Sequence, residues 1–171
     1  IKPETYKKFE AFQHHDPDYI GRVVFPVRNI SGRIAAFNGR HTTGGTPKYM
    51  ISPAGAKMPL YPVAEPKQGS VILVEGIFDM INLHDKGLDN AVCCFGTKNI
   101  NEDKLKMLSI QGVESIDIFF DGDTAGQDAA VIVKEMCERV GMTSRNICLK
   151  DKDPGGLTES TVLKLKRKLY A

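Results

Sequence analysis

No apolar run in this 171-residue chain approaches the ~20 residues that a membrane-spanning helix needs, and no signal peptide opens it. Neither sign of charge dominates. With 23 basic and 21 acidic residues there is no polybasic tail, so any nucleic-acid surface must come from local arrangement. The four cysteines, Cys93, Cys94, Cys137 and Cys148, lack the paired C-x-x-C spacing of a zinc site and read as reduced core residues of a cytosolic protein. A G-x-x-x-x-G-K-[ST] phosphate loop is also missing, which excludes an encoded helicase motor. What remains is a chain with 42% apolar residues, enough for one good core and a smaller satellite. Its first residue, Ile1, suggests a piece of something longer.

Two parts follow from the pattern. Residues Pro3 to Phe12 carry a weak helical signal, which His14-His15-Asp16-Pro17-Asp18 breaks; the histidine pair has no further ligand at helical spacing and reads as a solvated loop. Arg22 to Val27 and Arg33 to Phe37 are β-rich and flank Asn29-Ile30-Ser31-Gly32, a hairpin signal, with Lys48 to Ile51 as a third short strand. Pro59, Pro62 and Pro66 then punctuate the chain, so the boundary is placed near Lys67: a β-rich subdomain over 1–66, then an α/β domain over 67–171. In the second part strands alternate with helices. Strands Val71 to Val74, Ala91 to Phe95, Ser115 to Phe120 and Asn146 to Leu149 interleave with helices Ile77 to Lys86, Glu102 to Ser109, Ala125 to Val140 and a basic C-terminal helix. Such alternation predicts a four-stranded parallel sheet flanked by helices, with right-handed crossovers that put all strand exits on one edge.

That edge collects acids. Glu75 follows the first strand of the sheet and Asp121-Gly122-Asp123 follows the third, while Asp79 lies on the helix after Glu75 and the segment Asp151 to Asp153 follows the last strand. Two carboxylates about 4 Å apart repel by roughly 4 kcal/mol at an effective dielectric near 20, so the cluster needs cations or protons. Hard oxygen donors without a His/Cys constellation select Mg²⁺ or Mn²⁺ over zinc. Glu75, Asp121 and Asp123 are the leading ligand candidates and Asp79 and Asp153 the second rank; Asp79 reads equally as a favourable first-turn helix acid, and Asp153 as an exposed loop acid.

Val74-Glu75-Gly76-Ile77-Phe78-Asp79 and Phe120-Asp121-Gly122-Asp123-Thr124-Ala125-Gly126 resemble the signature of the Toprim (Rossmann-like) domain shared by primases, topoisomerases and related nucleases. The first part narrows the resemblance. Arg22-Val23-Val24-Phe25-Pro26-Val27-Arg28, Gly32-Arg33-Ile34, Phe37-Asn38-Gly39-Arg40 and Pro47-Lys48-Tyr49 are similar to the RNA-polymerising core of bacterial-type (DnaG-like) DNA primases, including those of phages and helicase-primases. The likeness runs from about Tyr19 to Gly156. It departs at Ile51, where that family usually has asparagine, at Gly155, where the last acidic loop commonly carries a second acid, and in the short segment between Ser52 and Tyr61.

The resemblance implies synthesis of short RNA primers on single-stranded DNA from ribonucleoside triphosphates, with Mg²⁺ or Mn²⁺ and with Glu75, Asp121 and Asp123 as catalytic residues. It also implies a replicative helicase partner, a zinc-binding module outside this segment, and a cytoplasmic place in the replisome, in the host cytoplasm if the chain is phage-encoded. Arg40 and Lys48 match the family's basic positions; Arg22, Arg28, Lys57 and Lys98 are further candidates for nucleotide or template contacts. Arg22 and Arg28, six apart on a strand, are expected on one face. Two other readings stay open: a Toprim nuclease using the same acids on phosphodiesters, and a non-catalytic single-strand-binding or assembly module.

Overall fold

The computed structural model describes residues 1–149 and 152–171, and it divides into two compact units, Ile1–Pro62 and Val63–Ala171. Asp151, which the sequence reading grouped with Asp153, lies outside the described residues. The stretch from Val63 to Gln68 goes with the second unit because its backbone is tied there. The Ala64 N–H donates to Gln111 Oε1 at 2.6 Å, and Lys67 exchanges backbone hydrogen bonds with Ser70.

The first unit opens with α1 (Pro3–Lys8), where Pro3 occupies an early helical position that needs no donor. It continues as an antiparallel sheet in the order β1 (Arg22–Arg28), β2 (Ile34–His41), β3 (Tyr49–Ser52). Asn29 makes the hairpin: its Oδ1 accepts from the N–H groups of Ser31 and Arg33 at 3.0 and 3.1 Å, while Gly32 takes φ +75°. Phe25, Val27 and Ala36 lie on the buried face, and Pro26 is tolerated because β1 is an edge strand, bridged on its outer side, among the described residues, only at Phe12.

The second unit is a parallel sheet in the order β5 (Ala91–Cys93), β4 (Ser70–Val74), β6 (Ser115–Ile118), β7 (Thr143–Asn146). β4 is buried along its whole length, as a central strand covered on both faces must be. The crossovers are α2 (Ile77–Asp85), α3 (Glu102–Ile110) and α4 (Thr124–Arg139), and α5 (Glu159–Tyr170) closes the unit. Each of α3, α4 and α5 starts on a side-chain cap, from Asn101, Asp123 and Thr158 respectively. This is the α/β architecture expected from the sequence, a four-stranded parallel sheet flanked by helices.

Two expectations are corrected. The last strand covers Thr143–Asn146 rather than the apolar Asn146 to Leu149, because its register is pinned by Arg145, paired with the buried Asp117 of β6. An edge strand with one open side needs no apolar sequence. Cys148 is exposed, whereas Cys93, Cys94 and Cys137 are buried as expected.

Candidate active site

The carboxyl edge of the parallel sheet gathers its acids through helix starts. β4 runs out at Val74 into Glu75-Gly76, and α2 begins there with Asp79 in its first turn, its Oδ2 accepting the Gly76 N–H at 2.9 Å. Glu75 is half-buried, and its carbonyl accepts from the Gly96 N–H at 3.1 Å, which ties the exits of β4 and β5 together. Beyond β6, Asp121 is half-buried and Asp123 exposed. Asp123 Oδ1 accepts the Gly126 N–H at 2.8 Å and so caps α4. A Cβ on Gly126 would come within 2.4 Å of the Asp121 carbonyl oxygen, so only glycine lets the first turn of α4 lie this close to the Asp121 backbone. Gln127 Nε2 donates to that same carbonyl at 3.0 Å, and Gln127 Oε1 accepts from Asn146 Nδ2 at the end of β7. The fourth exit contributes Asp153, exposed, whose Oδ1 accepts the Gly156 N–H at 2.6 Å and caps a short 3-10 turn, Pro154–Gly156.

The electrostatics link four of these acids. Burial pushes the Asp79 carboxyl up to about 7; the Gly76 N–H pulls it down, and the charges of Asp121, Asp153 and Glu75 push it further up. Asp79, Asp121, Asp153 and Glu75 therefore share one field, whereas Asp123 stands beside them with one oxygen engaged at the start of α4. The two second-rank acids are drawn into the group, and the sequence had no means to rank them so. Among the described residues no three His, Cys, Asp or Glu side chains already stand close enough to grip a metal ion. The donor set is nonetheless all oxygen, with Glu75, Asp79 and Asp121 half-buried and charges that raise the Asp79 carboxyl, which fits a hard divalent cation of the Mg²⁺ or Mn²⁺ kind.

The basic candidates separate. Arg40 on β2 and Lys48 before β3 meet over the Tyr49 ring, with the guanidinium carbon at 4.6 Å and Nζ at 5.8 Å from its centroid. Lys57 and Lys98 are exposed in irregular segments of different units, Lys98 in a 3-10 turn at the exit of β5. Arg22 and Arg28 do not share an open face. The register shifts between Val27 and Arg28, a bulge that breaks the alternation. Arg22 is 5% exposed and its Nε donates to the Asp18 carbonyl, while Arg28 forms a two-bond pair with Glu10, at 2.8 and 2.9 Å, and donates to the Gly32 carbonyl. Both are held within their own unit.

Residues 72–157 match the family described as Toprim-like. The chain belongs to the Toprim-like family. Residues 4–58 of this Toprim-like chain match a second family, the DNA primase catalytic core, N-terminal domain. Among curated proteins it is similar to the DNA primase of Pseudomonas putida, 38% identical over 136 residues; the match takes in 74% of the chain and 19% of that protein. The chain thus spans about a fifth of the length of this relative. Among solved structures it is similar to the DnaG catalytic core, with a TM-score of 0.76 and 26% identity, covering 98% of this chain and 65% of that one. A DnaG primase catalytic domain bound to ssDNA superposes with a TM-score of 0.71 and 25% identity, covering 98% and 59%. No helix among the described residues of this Toprim-like chain is long and apolar enough to cross a membrane.

Proposed function

We propose that this chain is the polymerising core of a DNA primase, which joins ribonucleotides into short RNA primers on single-stranded DNA, a nucleotidyl transfer from ribonucleoside triphosphates. The observation that carries the reading is the placement of Glu75, Asp79, Asp121 and Asp153 after the strands of one parallel sheet, where the charges of the other three raise the Asp79 carboxyl, in a chain whose two parts match Toprim and the primase core in the family's order. Glu75, Asp121 and Asp123, with Asp79 and Asp153, are assigned to hold the divalent cation. When bound, that cation supplies charge compensation for the transferring phosphoryl group and the leaving pyrophosphate. The residues prepare for it: Gly126 and Gln127 set the Asp121 backbone, and the helix starts at Gly76 and Asp123 hold one oxygen each of Asp79 and Asp123.

Arg40 and Lys48 are assigned to phosphates of the triphosphate or template, stiffened by Tyr49. A single-stranded DNA template, ribonucleoside triphosphates, a replicative helicase and a separate zinc-binding module are the partners this reading requires, with the cytoplasm as its place of action.

The test is extension of an annealed RNA primer on single-stranded DNA, which bypasses start-site selection. Asp121→Asn removes a charged oxygen at nearly constant volume, so extension should fall roughly 100-fold or more while DNA binding persists. Lys48→Ala should raise the triphosphate KM roughly tenfold, the worth of one charge-assisted contact. Wild-type extension by the Asp121→Asn protein refutes the assignment, and metal-dependent DNA cleavage without any triphosphate replaces it with a nuclease.

A further inference from the structure

The acids of β4 and β6 are aimed by strand ends, but Asp153 is not. It sits between the end of β7 at Asn146 and the start of α5 at Glu159, on a turn outside any sheet ladder. What reaches that turn from another element is a side chain. Asn82 on α2 is 4% exposed, and its Nδ2 donates to the carbonyls of Pro154 at 2.8 Å and Leu157 at 3.2 Å, one at the start of the turn and one just past its end. Its Oδ1 accepts from Lys86 Nζ one turn further along α2, which fixes the amide orientation so that both N–H bonds point at the turn. Pro154 and Leu157 are themselves buried, so the two carbonyls have little access to water as alternative partner.

The same helix face carries the other half of the contact. Asp79 lies three residues before Asn82, hence on the same side of α2. A Cβ on Gly155 would come within 2.6 Å of Asp79 Oδ1 and 3.2 Å of Asp153 Oδ1. Gly155 therefore lets the turn press against the acid of α2 while Asn82 grips it from beneath. Asn82 is itself uncharged and reaches the turn through backbone carbonyls.

We propose that Asn82 is a positioning residue for the acidic edge, holding the Pro154–Gly156 turn so that Asp153 joins Asp79, Asp121 and Glu75 in binding a divalent cation. This rests on the assignment of that edge as a cation site. Side chains that orient ligands from behind typically change metal affinity 10–100-fold when removed. Because Asn82 acts through a turn backbone rather than on a ligand directly, the low end applies, roughly tenfold.

The test reads Mn²⁺ affinity by electron paramagnetic resonance on the intact chain, without nucleotide or DNA, beside a thermal melt. Asn82→Leu should bind Mn²⁺ roughly tenfold more weakly than the wild-type chain. In an Asp153→Asn background the same substitution should change nothing further, since the residue it positions is already disabled. Asn82→Ser, which keeps a hydroxyl donor and leaves less apolar mismatch, should show a smaller loss in the same cycle, and it carries the test if the leucine variant fails to fold. Wild-type Mn²⁺ affinity in a folded Asn82 variant overturns the proposal, and so does an equal loss with and without Asp153, which marks a merely structural role. A wild-type chain that binds no Mn²⁺, or whose binding survives Asp121→Asn, overturns the assignment of the edge itself and is recognised before any Asn82 variant is compared.

Discussion

At the scale of single residues, Asp79 carries the most chemistry that titration can reach. Its carboxyl is pushed from the usual 3.8 to about 7, by burial first and then by Asp121, Asp153 and Glu75. A carboxyl whose folded value is raised contributes stability that is full below pH 3.8 and is lost as the pH rises through about 7. The loss is at most roughly 4 kcal/mol. Metal-free protein should therefore melt progressively earlier between pH 4 and 7.5, Asp79→Asn should flatten that decline, and saturating Mg²⁺ should restore the wild-type melting point at pH 7.5; calorimetry across that range checks all three. The acids at strand ends were legible in the sequence because period and order alone place them. Asn82 and Gln127 were not. A polar residue inside a helix looks like a solvent-facing position until the packing shows that it faces a neighbouring turn.

At the scale of elements, the sheet is also held by a second polar group, which lies within the strands rather than beyond their carboxyl ends. Asp117 of β6 is 2% exposed; it pairs with Arg145 of β7 and accepts from Ser70 Oγ of β4 at 2.9 Å and from the Tyr170 hydroxyl of α5 at 3.4 Å. Asn90 Nδ2 donates to the same tyrosine at 2.7 Å. One buried carboxylate thus fastens three strands and the last helix. Arg145→Met leaves Asp117 buried with only hydroxyl partners and should destabilise the fold by about 2 kcal/mol, less than for a fully buried pair because Arg145 is half-exposed. Urea unfolding measures it, and Mn²⁺ affinity should stay unchanged. Sequence alone located β4, β5 and β6 because their own residues are largely apolar and buried. It misplaced β7 because that strand is defined by a partner, Arg145 on Asp117, and not by its own hydropathy.

At the scale of the whole molecule, near-neutral charge means that any hold on nucleic acid must rest on local basic residues. With Arg22 and Arg28 committed within their own unit, Arg40, Lys48, Lys57 and Lys98 remain as candidate phosphate contacts. If two or three phosphates are neutralised, the logarithm of single-strand affinity should fall with the logarithm of salt at a slope of about −1.4 to −2.1. Fluorescence anisotropy from 50 to 300 mM salt tests this; a slope near zero denies the template role. What the sequence by itself determined is the alternation that makes a parallel Toprim sheet, the hairpin unit before it, and the acids at the strand exits, because periodicity and turn chemistry are local properties. The tertiary structure decided which acids act electrostatically on Asp79, which arginines are held inside the β unit, and that a buried asparagine holds the last acidic turn. Those outcomes depend on a bulge, on burial, and on contacts between residues up to 75 positions apart, and no window along the chain contains them.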